Sequence, residues 1–208
     1  GVVGSVAHFT NNDIYPIKTY DQFDHDPINI ILNTLSKIEK EGEGASIQVV
    51  FNQVGSYYTK LYKDSLDKIR KGEKLTEAID IRHTIWGQFK KAASELGKDF
   101  SSGGDKKDQL PKKEEAIDQI AIEQITNKIS SPIVETNIRI MSSANNRVRA
   151  EAILSDLESG FNQFTNSLGN SFEWKRFEKN KLIDLTHNFI FRMFDQDNIL
   201  PMSVRELS

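Results

Sequence analysis

The 208-residue chain carries 27 Lys plus Arg against 30 Asp plus Glu, a formal net charge of −3, with 38% hydrophobic and 27% charged residues. This is ordinary globular composition, enough for one large domain or two small ones, and its slight acidity argues against a protein that coats nucleic acid with its whole surface. The absence of cysteine excludes disulfides and thiolate metal sites, no apolar run approaches the ~20 residues that span a bilayer, and the N-terminus lacks the basic region and apolar core of a signal peptide.

In chain order, Gly1 to Asn12 is weakly patterned and reads as an irregular arm or a short edge strand. Ile14, Ile17 and Tyr20 around Pro16 predict a strand at Ile17–Tyr20, held to an edge by the proline. Asp26-Pro27 starts a helix, with Asp26 as cap and Pro27 in the first turn, and Ile28, Ile31, Leu32, Leu35 and Ile38 form its stripe. Glu41-Gly42-Glu43-Gly44 stops it. Ala45 to Val54 is β-branched and alternating, and predicts a strand.

Ser56 to Arg70, Thr76 to Leu96 and Glu114 to Ile129 read as helices, separated by Gly72 and by a polar loop over Lys98–Lys113. Val134, Thr136, Ile138 and Ile140 then alternate with Glu135, Asn137 and Arg139, the period of a half-buried strand. After the small polar turn 142–145 the period becomes helical, with Ala150, Ile153, Leu154, Leu157, Phe161 and Phe164 in one stripe. Thr165 to Asn180 reads as a loop, Phe189–Phe194 as a last strand, and Asn198 to Ser208 as a turn into a helix. The chain opens on Gly1 rather than Met and closes within that helix, so a piece of a longer polypeptide is expected.

With the helical middle set aside, the order is βαββαβ, the ferredoxin-like order. The expected fold is α+β: a ferredoxin-like sheet covered by helices, with a helical insertion between its halves. The halves span 14–54 and 132–194, the insertion 55–131 with its loop at 98–113, and 195–208 leads onward. Two small lobes divided at that loop are the alternative.

No motif for chemistry emerges. Gly103-Gly104-Asp105-Lys106 lacks the spacing of a phosphate-binding Walker loop and the apolar helix that must follow it. His8, His25, His83 and His187 have no ligand-type spacing, and helix capping accounts for Asp24-His25-Asp26. Glu114-Glu115 suits a helix N-terminus without any catalytic role. No metal or cofactor is expected. The one basic and aromatic cluster is Phe172-Glu173-Trp174-Lys175-Arg176-Phe177, to which Arg147 and Arg149 add cations. Rings interleaved with cations stack on bases and meet phosphates, so Arg147, Arg149, Trp174, Lys175 and Arg176 are the candidate nucleic-acid contacts. The competing reading is a segment whose rings cover the sheet while its cations stay solvated.

Several short blocks resemble one family. Ile17-Lys18-Thr19-Tyr20 with Phe23 and Asp26-Pro27, then Ser36-Lys37 and Gly44-Ala45-Ser46-Ile47-Gln48-Val49, are similar to the opening of an accessory domain. That domain lies upstream of the HerA/FtsK-like ATPase module of bacterial conjugation and type IV secretion coupling ATPases. Ile138-Arg139-Ile140, the helix ending Gly160-Phe161-Asn162-Gln163-Phe164, Asn170-Ser171-Phe172, Phe191-Arg192, Ile199-Leu200 and 203–207 resemble its later blocks. The resemblance spans Ile14 to Leu207 except around Trp86–Lys113, and it transfers no catalytic residue.

It implies a non-catalytic domain at the cytoplasmic face of the inner membrane. Its expected partners are the ATPase domain of the same parent chain, further copies in a homo-oligomer, and a DNA or secreted-protein substrate. Membrane contact would come only from parts outside this segment. A free-standing single-stranded nucleic-acid binder is the alternative, and an enzyme with a dispersed small-molecule site the third.

Overall fold

The computed structural model describes residues 1–38, 40–79 and 118–208. Five strands and the helices around them make an α+β fold. The strands are β1 (Val2–Phe9), β2 (Gly44–Asn52), β3 (Ile133–Ser143), β4 (Phe172–Arg176) and β5 (Leu200–Ser203). The helices are α1 (Ile28–Leu35), α2 (Tyr57–Arg70), α3 (Leu75–Ala78), α4 (Gln119–Lys128), α5 (Arg147–Gly160), α6 (Lys179–Ile190) and α7 (Val204–Leu207).

β3 is the centre. It pairs antiparallel with β2 from Glu135 to Ser143, and on its other side with β1 and β5 in turn. β1 takes the C-terminal half of β3, from Arg139 to Ser143, while β5 takes the N-terminal half, from Ile133 to Thr136. β4 lies outside β1, so the order is β2-β3-β1-β4 with β5 off that path. β1 and β2 both run opposite to β3 and hence parallel to each other, with α1 in their connection and β3 between them.

Two strand expectations are corrected. Ile17–Tyr20 is no strand: Ile14 and Ile17 are buried in irregular chain, which runs into a short 3-10 turn at Tyr20–Gln22. The opening strand is instead Val2–Phe9, whose residues 3–7 are buried in an unbroken run. Phe189–Phe194 is the end of α6 and a turn, with Arg192 at φ +53°. The segment read as a loop around Trp174 is β4.

The main core lies on one face of the sheet, where Val3, Ala7, Ile138, Ile140, Leu200 and Met202 meet Ala150, Ile153, Leu154 and Leu157 of α5. Asn146 starts α5 by accepting from the Arg149 amide at 2.8 Å, as an N-cap asparagine does. Ile31, Leu35 and Ile38 of the α1 segment pack beside α5, whereas Ile28 and Leu32 of the expected stripe are exposed. Asp26 caps α1 at the Ile28 amide, 3.0 Å away. A second cluster joins α2, α3 and α4 through Tyr62, Leu66, Ile69, Ala78, Ala121 and Ile125, and reaches the sheet at Ile133. The helix expected over Thr76–Leu96 is described only through Ala78 and Ile79, and the 98–113 loop lies outside the described residues.

The opposite face of the sheet is covered by α6 through Leu185 on Val6 and Met141. The polar side of β3 is therefore not solvated, as alternation alone implies: Asn137 and Arg139 are both 0% exposed. Arg139 donates to the Asn188 carbonyl at 2.9 Å, to the Met193 carbonyl, to Gln48 Oε1 at 3.2 Å and to Asn137 Oδ1 at 2.9 Å. Asn137 in turn donates to the carbonyls of Asp195 and Asn198. Buried polar groups need such partners, and here they fasten the turn after α6 to the sheet.

Candidate functional site

The five predicted nucleic-acid contacts do not gather into one surface. Trp174 is half-buried in the main core, its ring edge-on to Phe161 at 5.1 Å between centroids. Lys175 follows it on the opposite face of β4, its ammonium 5.6 Å from the Phe177 ring centroid. The three arginines are each held by carboxylates. Arg147 pairs with Glu151 at 2.7 Å and with Glu178, and Arg149 grips Glu43 through two nitrogens at 2.7 and 2.9 Å. Arg176 reaches Glu158 and Ser155 Oγ. Hydrogen bonds donated to their carboxylate partners raise the pKa of each guanidinium further.

A concave site lies elsewhere, where the end of β1, the 11–13 turn, the start of α2, β4 and the 196–201 segment converge. This cleft of about 710 Å³ is lined by His8, Asp13, Tyr57, Tyr58, Glu173 and Asp197 among others, with no Lys or Arg among the described lining residues. Asn11 and Asn12 line it, and the buried Asn170 holds their turn. Asn170, 2% exposed, accepts from the amides of Asn11 and Ser171 at 2.9 and 3.0 Å and donates to the Asn12 carbonyl at 2.9 Å. Asn12 accepts from the Ile14 amide and donates to the Ile79 carbonyl.

Aromatic rings form one wall. Tyr57 is half-exposed and edge-on to Tyr58 at 5.0 Å, and Tyr58 leans on Tyr62 at 5.8 Å. The Tyr58 hydroxyl donates to Glu135 Oε1 at 3.1 Å. Burial, then the Glu135 charge and this hydrogen bond, raise the Tyr58 pKa, so the phenol stays protonated at any physiological pH. The buried Tyr62 hydroxyl faces Asp13, and burial again pushes its pKa well up. His8 is held below its ordinary 6.5 by burial and by the Lys175 charge, against the opposing charges of Glu173 and Asp195.

Among the described residues the cleft thus presents the carboxylates of Glu173 and Asp197 beside a neutral imidazole and stacked phenols. That combination attracts cations with an apolar stem, the chemistry of Lys and Arg side chains. It repels phosphate. Among the described residues no group of three or more His, Asp or Glu side chains is placed to hold a metal ion, and no helix is long and apolar enough to cross a membrane. No local signal in the sequence marks this cleft, because its residues come from four separated segments.

A family model described as a domain of unknown function (DUF8128) matches residues 2–208. The chain belongs to this family. No curated protein and no solved structure matches it. The match covers the cleft and the sheet, so both are parts of the DUF8128 domain.

Proposed function

We propose that this DUF8128 domain is a non-catalytic interaction module of a conjugative or type IV secretion coupling ATPase, working at the cytoplasmic face of the inner membrane. It contacts neighbouring subunits and the transported substrate, and leaves nucleotide hydrolysis to an ATPase domain of the same parent chain. The block resemblance from Ile14 to Leu207 motivates the reading. The observation that carries it is apolar surface left uncovered on the α1 and β2 side: Ile28, Ile30, Leu32, Val49 and Phe51 are all exposed. Exposed apolar side chains on these two elements support a reading in which other macromolecules sit here.

The finer fold reading belongs with it. β1-α1-β2 and β3-α5-β4 each enclose one strand of the other, which is a pair of interlocked split βαβ units, ferredoxin-like in plan. β5 is an addition to that plan, and α2, α3 and α4 belong to the insertion between β2 and β3.

Of the two cargo types, the cleft favours a protein segment carrying Lys or Arg, because its lining carboxylates oppose a phosphate backbone. The nucleic-acid alternative has less support, since Trp174 packs inward and the arginines are paired.

The test begins with the parent reading frame, where a Walker loop is expected C-terminal to Ser208. The ATPase module that it encodes should then bind the isolated domain in calorimetry. A frame without such a module, or a module that ignores the domain, overturns the reading.

A further inference from the structure

β2 and β4 are the two outer strands of the sheet path, and they differ as edges. β4 is five residues long and carries Glu173, Lys175 and Arg176, the charges with which edge strands discourage pairing. β2 is nine residues long, Gly44-Ala45-Ser46-Ile47-Gln48-Val49-Val50-Phe51-Asn52, with neither charge nor proline. Among the described residues it pairs with β3 alone, and none of its nine residues is buried. An open groove of about 720 Å³ runs along it, lined by residues 46–51 and by Phe189, Ile190 and Arg192. Phe51 is 67% exposed and Val49 47%.

We propose that β2 joins two copies of this chain, its outer edge pairing antiparallel with the same edge of a second copy so that one sheet runs through both. This rests on the reading of the domain as an interaction module and names its partner. The strand complements itself. Gln48 is the midpoint of Gly44–Asn52, so a two-fold axis there pairs the full length with no overhang. It sets Phe51 opposite Ala45, Val50 opposite Ser46, Val49 opposite Ile47 and Gly44 opposite Asn52.

On this seam Val49 and Ile47 form an apolar β-branched pair in each half, while the small Ala45 and Ser46 leave room for Phe51 and Val50. No like charges meet. Just beyond the strand, Glu43 would face Gln53, and its carboxylate is already held by Arg149. β2 itself carries no charge to pair with a charged partner strand, and a second copy of β2 brings none to match. The contact is isologous, so it closes at two copies and consumes both exposed edges.

Sedimentation and light scattering of the 208-residue chain over a concentration series test this. The expected mass rises from 23.7 kDa to twice that. Val49→Lys with Phe51→Lys, at exposed positions, should hold the chain monomeric with an unchanged circular dichroism spectrum. Because the chain has no cysteine, Ser46→Cys with Val50→Cys should give a disulfide-linked dimer on oxidation. A chain that stays monomeric throughout overturns the proposal, as does a dimer that survives the lysines or fails to cross-link. A chain that dimerises but ignores the ATPase module sinks the motor reading alone. One that binds the module yet stays monomeric sinks the pairing alone.

Discussion

Lys128 and Glu206 lie 78 positions apart and meet inside the protein, Nζ 2.8 Å from Oε2, with neither side chain reaching solvent. Glu206 also accepts from the Ile17 amide at 3.0 Å and from the Ser203 amide and hydroxyl at 2.7 and 2.8 Å. The Lys128 ammonium sits 5.0 Å from the Phe9 ring centroid. Three separated segments therefore converge on one carboxylate, and Phe9 of a fourth borders the ammonium that pairs with it. Removing a single partner strands a charge away from water, which costs about 3–5 kcal/mol. Lys128→Met should show that loss in urea unfolding, and adding Glu206→Gln should recover part of it. A loss below about 1 kcal/mol, the scale of an exposed pair, would show that the pair does not hold these segments.

His8 makes stability depend on pH. Its folded pKa lies below the ordinary 6.5, first because of burial and second because of Lys175, with Glu173 and Asp195 opposing. Below pH 6.5 the unfolded chain binds a proton that the folded chain resists, so stability falls as pH drops from 6.5 toward the folded pKa. His8→Asn should flatten that part of the urea midpoint curve. An equal slope in both proteins between pH 7.5 and 5.5, a window set by the usual histidine range of about 6.5, would rule this out.

Trp174→Ala should act on stability. The ring packs against Phe161 and lies 6.4 Å from the Phe172 ring. Full truncation of a buried aromatic costs about 3–5 kcal/mol, so a half-buried one should cost roughly 2 kcal/mol. Chemical denaturation followed by circular dichroism measures it. A variant as stable as the parent that loses affinity for a labelled single-stranded oligonucleotide would instead favour the nucleic-acid reading.

Gly169 marks a close passage of backbone. A Cβ there would lie 2.2 Å from the Pro16 carbonyl oxygen, the same oxygen that accepts from the Asn170 amide at 2.9 Å. Gly169→Ala must push these segments apart, at a cost of about 1–3 kcal/mol or more. Hydrogen exchange at Asn170 should quicken with it, and an unchanged rate would show that the turn absorbs the methyl group elsewhere.

Elements whose pattern matches one-sided burial were legible in the sequence. α5 follows its period and Asp26 caps as its position suggests, while β2 showed through its β-branched run although none of its residues is buried. β1 showed only as one alternative, a short edge strand, because Gly4 and Ser5 interrupt the alternation in a strand that is buried on both faces and lies inside the sheet. In α6 the run Asn188-Phe189-Ile190-Phe191 imitates a strand, while the helical spacing of Leu182, Leu185 and Phe189 is what packs on the sheet. β4 alternates, but its charged residues look like loop. β5 is four residues long with a proline, too short for any period to register. The cleft was invisible for another reason: His8, Tyr58, Glu173 and Asp197 become neighbours only once the sheet has formed.

The lodging of Glu206 has a mechanical corollary. A pull on Ser208 does not peel away a loose tail. It loads α7, then the carboxylate bound to Lys128 and to the Ile17 backbone, then the four-residue β5 zipped to β3. Tension arriving at that end is shared among parts of the chain remote from one another in sequence, so the last turn behaves as an anchor bolt rather than a tether.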